Sequence, residues 1–369
     1  MPVFITAIGT AVPQNCFPQT QIAEFMASAL QLDEYEKRKL FALYRSTKIS
    51  QRYSVLSDYG QKPENFTFFP KNQTLEPFPT ISARMDAYRL FALPLVLDAV
   101  NNLGSSADLT QITHIITVSC TGMYAPGLDI ELIQELHLKT NIQRTAINFM
   151  GCYGAFNGLK VADAICNAQS NAKVLVICVE LCTIHFQKKT DEDFLLSNAL
   201  FSDGAAAVII ESSPIKNYSK TLELKSFYCD LVFEGKQDMA WQVADFGFEM
   251  TLTSYIPRLV KKGIKDLIDS LLEKDHLSKE SISLYAMHPG GKAILESIES
   301  AIGISKDDNR FAYHVLNQYG NMSSCTVLFV LKQLLEETSA VDHGKNILSC
   351  AFGPGLTLES MILNLHCSA

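Results

Sequence analysis

Charge is scarce in this sequence: 19% of its 369 residues are Asp, Glu, Lys or Arg, against about 25% in an average soluble domain. Apolar residues make up 47%, so a disordered or solvating chain, which needs the reverse balance, is excluded. Cationic excess is missing as well, since 31 Lys and Arg face 39 Asp and Glu for a net charge of −8. That excludes a general nucleic-acid binder, because neutralising phosphates takes a surface excess of Lys and Arg. No apolar run is long enough for a membrane span: Leu90–Leu97 is cut by Asp98, and a span needs roughly 18 such residues. The start, MPVFITAIGT, lacks the cationic opening of a secretory signal. CxxC pairs are absent too, and the ten cysteines scatter through apolar segments. They read as reduced small hydrophobes of a cytoplasmic protein. Cys178 and Cys182 lie four apart in an apolar run, too sparse a set for a metal, and none is expected.

What is present is alternation. Apolar runs with strand character, Ile112–Ser119, Lys173–Glu180, Ala205–Ile210, Ser283–Met287 and Asn346–Ala351, are separated by stretches of helical spacing such as Gly158–Ala168 and Ser324–Leu335. This order predicts an α/β protein with buried, largely parallel sheets. The length suits two domains or one duplicated unit. The polar stretch Ile210–Lys220 marks the division, giving halves 1–213 and 214–369. The halves also repeat a pattern. Cys152 follows His114 by 38 residues, and Asn321 follows Ser283 by the same 38. Each first strand ends in a polar turn, SCTG or HPGG, and each half closes on a Gly-bearing turn into an apolar strand. Duplication predicts a pseudo-twofold axis that brings Cys152, His288 and Asn321 to one central place.

Each of the three has a setting suited to chemistry. Cys152, in FMGCYGAFNGL, has glycines on both sides, as a tight strand-to-helix turn that exposes a nucleophile requires. A helix N-terminus there is expected to lower the thiol pKa toward neutrality. His288, in YAMHPGG, stands at a strand end, where α/β sites assemble. Asn321, in NQYGNMSSC, offers an amide donor that does not titrate, suited to an oxyanion, although Asn is also a preferred helix cap. Thiol, imidazole and carboxamide at one place fit acyl transfer through a thioester.

The segments around Cys152, the HPGG turn, VLNQYGNMSSC and AFGPGLTLE together resemble type III polyketide synthases, the chalcone-synthase-like family. The resemblance runs over nearly the whole chain in matching order. It implies a thiolase-like fold of two βαβαβαββ halves in a five-layered αβαβα arrangement. It also implies a homodimer and no metal or organic cofactor, with CoA thioesters as substrates. In that family's chemistry Cys152 would take the starter from an acyl-CoA as a thioester. His288 would hold the thiolate, and His288 with Asn321 would stabilise the enolate formed as malonyl-CoA loses CO2. The carbanion then attacks the thioester in a decarboxylative Claisen condensation.

An acidic protein that takes CoA needs a local basic patch. Lys37–Arg52 holds six Lys or Arg and no acid. The family's CoA-contacting positions fall on Lys39, Ala42 and Ser46; only Lys39 matches, with Arg45 and Lys48 as neighbouring substitutes. Within the implied cavity, Phe201 matches an aromatic gatekeeper and Met250 stands where a second gatekeeping Phe is usual. Cys120 replaces a frequent Thr, Ser323 lies in the GNMSS signature, His185 replaces a small Thr and Trp241 a Gly. The two enlarged side chains should shrink the chamber and shorten the product. Two other readings compete: a ketoacyl synthase III-like enzyme making one condensation with a carrier-protein-bound partner, and a silent acyl-binding scaffold.

Overall fold

The computed structural model describes residues 1–104, 107–212 and 218–368. The first half contains β1 (Val3–Ala11), β2 (Asn15–Pro18), α1 (Gln19–Ala29), α2 (Glu34–Ser46), β3 (Gln51–Ser54) and α3 (Ile81–Asn101). It continues through β4 (His114–Ser119), α4 (Leu128–Glu135), β5 (Gln143–Asn148), α5 (Gly154–Ala168), β6 (Lys173–Leu181), α6 (Glu192–Leu200) and β7 (Asp203–Glu211). The second half contains β8 (Lys220–Leu231), β9 (Met239–Ala244), β10 (Gly247–Leu252), α7 (Ile256–Lys274), β11 (Ile282–Met287) and α8 (Lys292–Ile302). After these come α9 (Arg310–Tyr319), α10 (Thr326–Glu337), β12 (Asn346–Gly353) and β13 (Thr357–Cys367). The boundary expected at 213/214 lies outside the described residues.

Nine strands are hydrogen-bonded in the order β11-β12-β13-β8-β1-β7-β6-β4-β5. Read outward from the central β1–β8 pair, both halves follow one scheme. β7, β6 and β4 on one side correspond to β13, β12 and β11 on the other, and β1 and β8 run antiparallel at the join. This is the duplication expected from the 38-residue spacing. Two expectations need correction. The sheet is mixed: β4 pairs in parallel with β5 and β6, and β11 with β12, but β7 and β13 return antiparallel. β12 and β13 are joined by the short turn Pro354–Leu356, and so short a link cannot make the crossover that a parallel neighbour needs. The second half also lacks a counterpart of β5 among the described residues; α9 occupies that stretch of chain.

Side-chain alternation along the strands builds the layers. In β6 every residue is buried. Leu175, Ile177 and Val179 pack with α1, α2 and α3, while Val174, Val176 and Cys178 face the opposite way. That second face meets α5 and α10, whose other side meets Ile347, Ala351, Met361 and Leu363 of the second half. The opposite face of those strands, with Leu348, Cys350 and Ile362, is covered by α7 and α8. The result is five layers with α5 and α10 in the middle. α10 is buried at every position from Thr326 to Leu331, as a helix apolar on all sides must be. α7 instead buries a single stripe, Ile256, Val260, Ile264, Leu267, Ile268 and Leu271, the periodicity of a surface helix. Among the described residues no helix is long and apolar enough to cross a membrane.

Gly9 shows how closely the outer layer approaches. A Cβ there would lie 2.0 Å from the Ala99 carbonyl oxygen and 2.7 Å from the Leu103 nitrogen, both backbone atoms of α3 and its end. Backbone cannot swing aside, so Gly9→Ala should lower stability by about 2 kcal/mol or more. Urea unfolding with an unchanged midpoint would contradict this account of β1 against α3.

Candidate active site

Gly151–Tyr153 form a tight helical turn ahead of α5, and Gly151 is left-handed with φ 75°. A Cβ there would meet the Pro354 ring at 2.2 Å, so glycine alone lets the turn seat against the β12–β13 link. Cys152 is buried in this turn. On the other side, α9 stops at Tyr319, and Gly320 and Asn321 precede α10 by several residues. Asn321 is therefore not the helix cap. Its Nδ2 donates to the Gly290 carbonyl at 3.2 Å, and its Oδ1 accepts the Ser323 N–H at 2.9 Å. Both amide atoms stand 3.9 Å from Cys152 Sγ. Nδ2 carries two hydrogens, so one remains after Gly290 is served. The Asn321 backbone is bonded on both sides to Leu200 and Ser202, which flank Phe201.

His288 directly follows β11 and is fully buried, its N–H bonded to the Cys350 carbonyl at 2.8 Å. Phe352, two residues on, turns its ring edge-on to the imidazole at 6.4 Å, and Gly353 abuts the Cys152 backbone. Neither ring nitrogen of His288 has a hydrogen-bond partner. Buried polar atoms are rarely left so. Of the three residues expected from the sequence, Asn321 touches Cys152 and bonds the turn that follows His288.

The expected low thiol pKa is not found. Burial pushes Cys152 up to about 12, with hydrogen bonds from Ser323 and Asn321 offsetting part of the rise. Removing a thiolate from water outweighs the helix N-terminus, which begins only at Gly154. Burial likewise lowers His288 to about 3, so each group alone is neutral. Beneath them lies Glu180, which sequence reading passed over although it is a lone acid at the end of an apolar run. It is fully buried and accepts hydrogen bonds from Ser324 Oγ (2.5 Å), Thr121 Oγ1 (2.9 Å) and the Cys120 N–H (2.9 Å). Burial raises its carboxyl to about 7, and its charge raises the Cys152 thiol further.

A narrow chamber of about 60 Å³ opens beside this centre, lined by Cys120, His185, Phe201, Trp241, Met250 and Ser323, all six predicted. Phe248 also lines it and was missed, because nothing local distinguishes it from a core aromatic. Cys120 Sγ accepts the Gly151 N–H at 2.8 Å, and its carbonyl accepts the Trp241 indole N–H at 2.7 Å. The basic stretch is dispersed. Arg45 and Lys48 are exposed on the surface, while Lys39 borders a hollow with Glu36, Glu192 and Asp193. An adjoining hollow lined by Ser46, Gly290 and Gly291 has Lys292 as its cation. Lys292 directly follows HPGG and was not singled out. Cys182 begins a turn beyond the end of β6 rather than sharing its face with Cys178. Among the described residues no cluster of three or more side chains suits a metal.

Fold and site together define a thiolase-like condensing enzyme. Residues 2–214 match the N-terminal domain of chalcone and stilbene synthases, and residues 223–366 match the C-terminal domain. The chain is 27% identical over 98% of its length to the alpha-pyrone synthesis polyketide synthase-like Pks18 of Mycobacterium tuberculosis, covering 91% of that protein. It is 29% identical over 98% of its length to a probable polyketide synthase 1 of Dictyostelium discoideum, of which it spans 11%. Its structure resembles PKS-I of the brown alga Ectocarpus siliculosus with a TM-score of 0.91, 28% identity and 98% of each chain covered. The C-terminal type III domain of Steely1, a type I/III hybrid from Dictyostelium, gives 0.89 at 26% identity over 99% of each chain. The chain belongs to the chalcone and stilbene synthase family, the type III polyketide synthases.

Glu180 generates a pH test. The unfolded chain releases this proton near pH 4.5, whereas the folded chain holds it to about pH 7. The group therefore favours folding below pH 4.5, and that contribution disappears as the pH rises to 7. Glu180→Gln should gain on the wild type by about 3 kcal/mol between pH 4.5 and pH 8. Denaturant midpoints at the two pH values check this; parallel curves for the two proteins would refute it.

Proposed function

We propose that this type III polyketide synthase extends a CoA-borne starter on Cys152 with malonyl-CoA, using His288 and Asn321 as the donor pair. The observation that carries the reading is the Asn321 N–H turned on Cys152 Sγ, together with a buried His288 imidazole whose two nitrogens have no partner. Burial disfavours an isolated thiolate and an isolated imidazolium alike, so the nucleophile forms as a pair, with the thiol proton passing to His288. The thiolate attacks the starter carbonyl and CoA leaves. The malonyl thioester oxygen then occupies the place the donors prepare. Loss of CO2 puts charge on that oxygen, and the resulting carbanion forms the new C–C bond as Cys152 departs as thiolate. Asn321→Ala removes one donor and should slow malonyl-CoA decarboxylation about 10²–10³-fold. Starter loading, read by mass spectrometry of the acylated protein, should suffer much less; equal loss in both steps would unseat Asn321 from this role.

The small chamber supports few extensions. Trp241 and His185 project into it where a longer chain would lie. Among a pyrone, a resorcinol and a phloroglucinol-type ring, the pyrone fits best, because an enol oxygen closes it from a shorter chain than either aromatic ring requires. The alpha-pyrone relative supports the same choice. Trp241→Gly should shift products to longer chains, read by mass spectrometry after incubation with malonyl-CoA and a panel of acyl-CoA starters. An unchanged spectrum from a folded, active variant would remove the chamber from control of length.

On this reading Lys292, which borders the hollow by Gly290 and Gly291 and is paired with Glu296, would meet the CoA phosphates, and the chain would work as a homodimer. The ten cysteines stand as free thiols, which suits the cytoplasm. A carrier-bound extender is the second reading, favoured by Ala42 and Ser46 where the family places cations. Turnover of malonyl-CoA without any carrier protein decides against it.

A further inference from the structure

Strands β9 and β10 form a two-stranded ribbon with no ladder to the main sheet. Such a hairpin is marginal by itself, yet it carries Trp241, Phe248 and Met250 into the chamber wall. Something must fasten it. His185, in the turn after β6, accepts the Phe248 N–H at Nδ1 (3.0 Å) and meets the Thr121 carbonyl at Nε2 (2.7 Å). The first bond fixes the tautomer: Nδ1 is the acceptor, so the proton sits on Nε2 and is donated to Thr121. Burial keeps the ring neutral, lowering its pKa to about 3 with the Arg84 charge adding to the effect. The same ring stacks on Phe248 at 4.3 Å and 8°, and meets Trp241 edge-on at 5.9 Å. Gln187 Nε2 adds bonds to the Phe246 and Phe248 carbonyls.

We infer that His185 is a positioning residue: through hydrogen bonds at both ring nitrogens it fastens the β9–β10 hairpin to the Cys120–Thr121 turn and so sets where the chamber wall stands. The consequence for product length rests on the function proposed above; the fastening does not. It differs from a role for His185 as bulk alone, and two variants separate them. His185→Phe keeps an aromatic ring of similar size and loses both bonds. His185→Asn loses most of the ring but keeps an acceptor where Nδ1 stood. Trp241 is the only tryptophan, so its fluorescence reports the hairpin directly.

In His185→Phe, Trp241 emission should shift to the red and acrylamide quenching should rise. Exchange of the Phe248 amide should accelerate about tenfold or more. In His185→Asn, the Phe248 amide should keep most of its protection. The opposite pattern, with the Phe variant matching the wild type and the Asn variant loosened, would overturn the inference in favour of bulk. Should His185→Phe fail to fold, Phe248 exchange accelerated about tenfold or more in His185→Asn would overturn it equally. A loosened hairpin in His185→Phe with an unaltered product spectrum would leave the fastening standing and defeat the chamber-length reading instead.

Discussion

The arrangement depends on one carboxamide held from every side. Asn321 gives a hydrogen to Gly290, receives one from Ser323 and is bridged through its backbone to Leu200 and Ser202. These partners come from the HPGG turn, the start of α10 and the segment joining α6 to β7, so both halves of the duplication position a single side chain. With its orientation fixed in this way, the remaining N–H has one direction left. A donor that is already aimed costs no reorganisation when charge develops on the substrate, which is where electrostatic catalysis gains most. Its distance to Cys152 Sγ, 3.9 Å, follows from how α5 and α10 start side by side in the middle layer. Gly154 makes that proximity workable, since a Cβ there would meet Val118 at 2.8 Å and Ser324 at 3.4 Å.

The centre is also buried, and burial cuts against half of what a nucleophile needs. It holds Cys152 protonated, His288 neutral and Glu180 uncharged well into the neutral range. The same scarcity of solvent disfavours the charged form of all three groups. Charge then enters the site only in compensating pairs or on the substrate itself. In the reaction proposed above, a dry centre would strengthen each donor once the enolate forms, so the cost at rest and the advantage in reaction would share one cause.

Much of this was legible in the sequence, for reasons that differ by feature. The largely apolar β6 and the equal spacings to Cys152 and Asn321 announced buried strands and a duplication, because burial on both faces and a repeated chain path leave marks in order and composition. Pairing direction was not legible: β7 and β13 read as apolar strands whichever way they run. The family resemblance, not periodicity, singled out the chamber residues, and the structure assembled all six. The thiol pKa was misread because a helix terminus can be seen in a sequence while the depth of burial cannot. Glu180, Phe248 and Lys292 escaped for the same reason, each being ordinary in its local context and distinctive only through what lies across from it.

Chemistry and selectivity occupy different parts of the molecule. Cys152, His288 and Asn321 stand on turns of the duplicated frame, at the ends of β5, β11 and α9. Part of the chamber wall comes from two ribbons outside that frame. Arg52, Tyr53 and Ser54 belong to β3, paired only with β2; Trp241, Phe248 and Met250 belong to β9 and β10, paired only with each other. A change in the frame moves both halves at once, since β1 and β8 join them and α5 and α10 pack on both. Either ribbon is free of the nine-stranded sheet and is held by side chains such as Arg52, bonded to the Phe201 carbonyl, and His185. Substitutions there can reshape the chamber while Cys152 and Asn321 keep their places, so that, on the proposed function, chain length could change without moving the condensing centre.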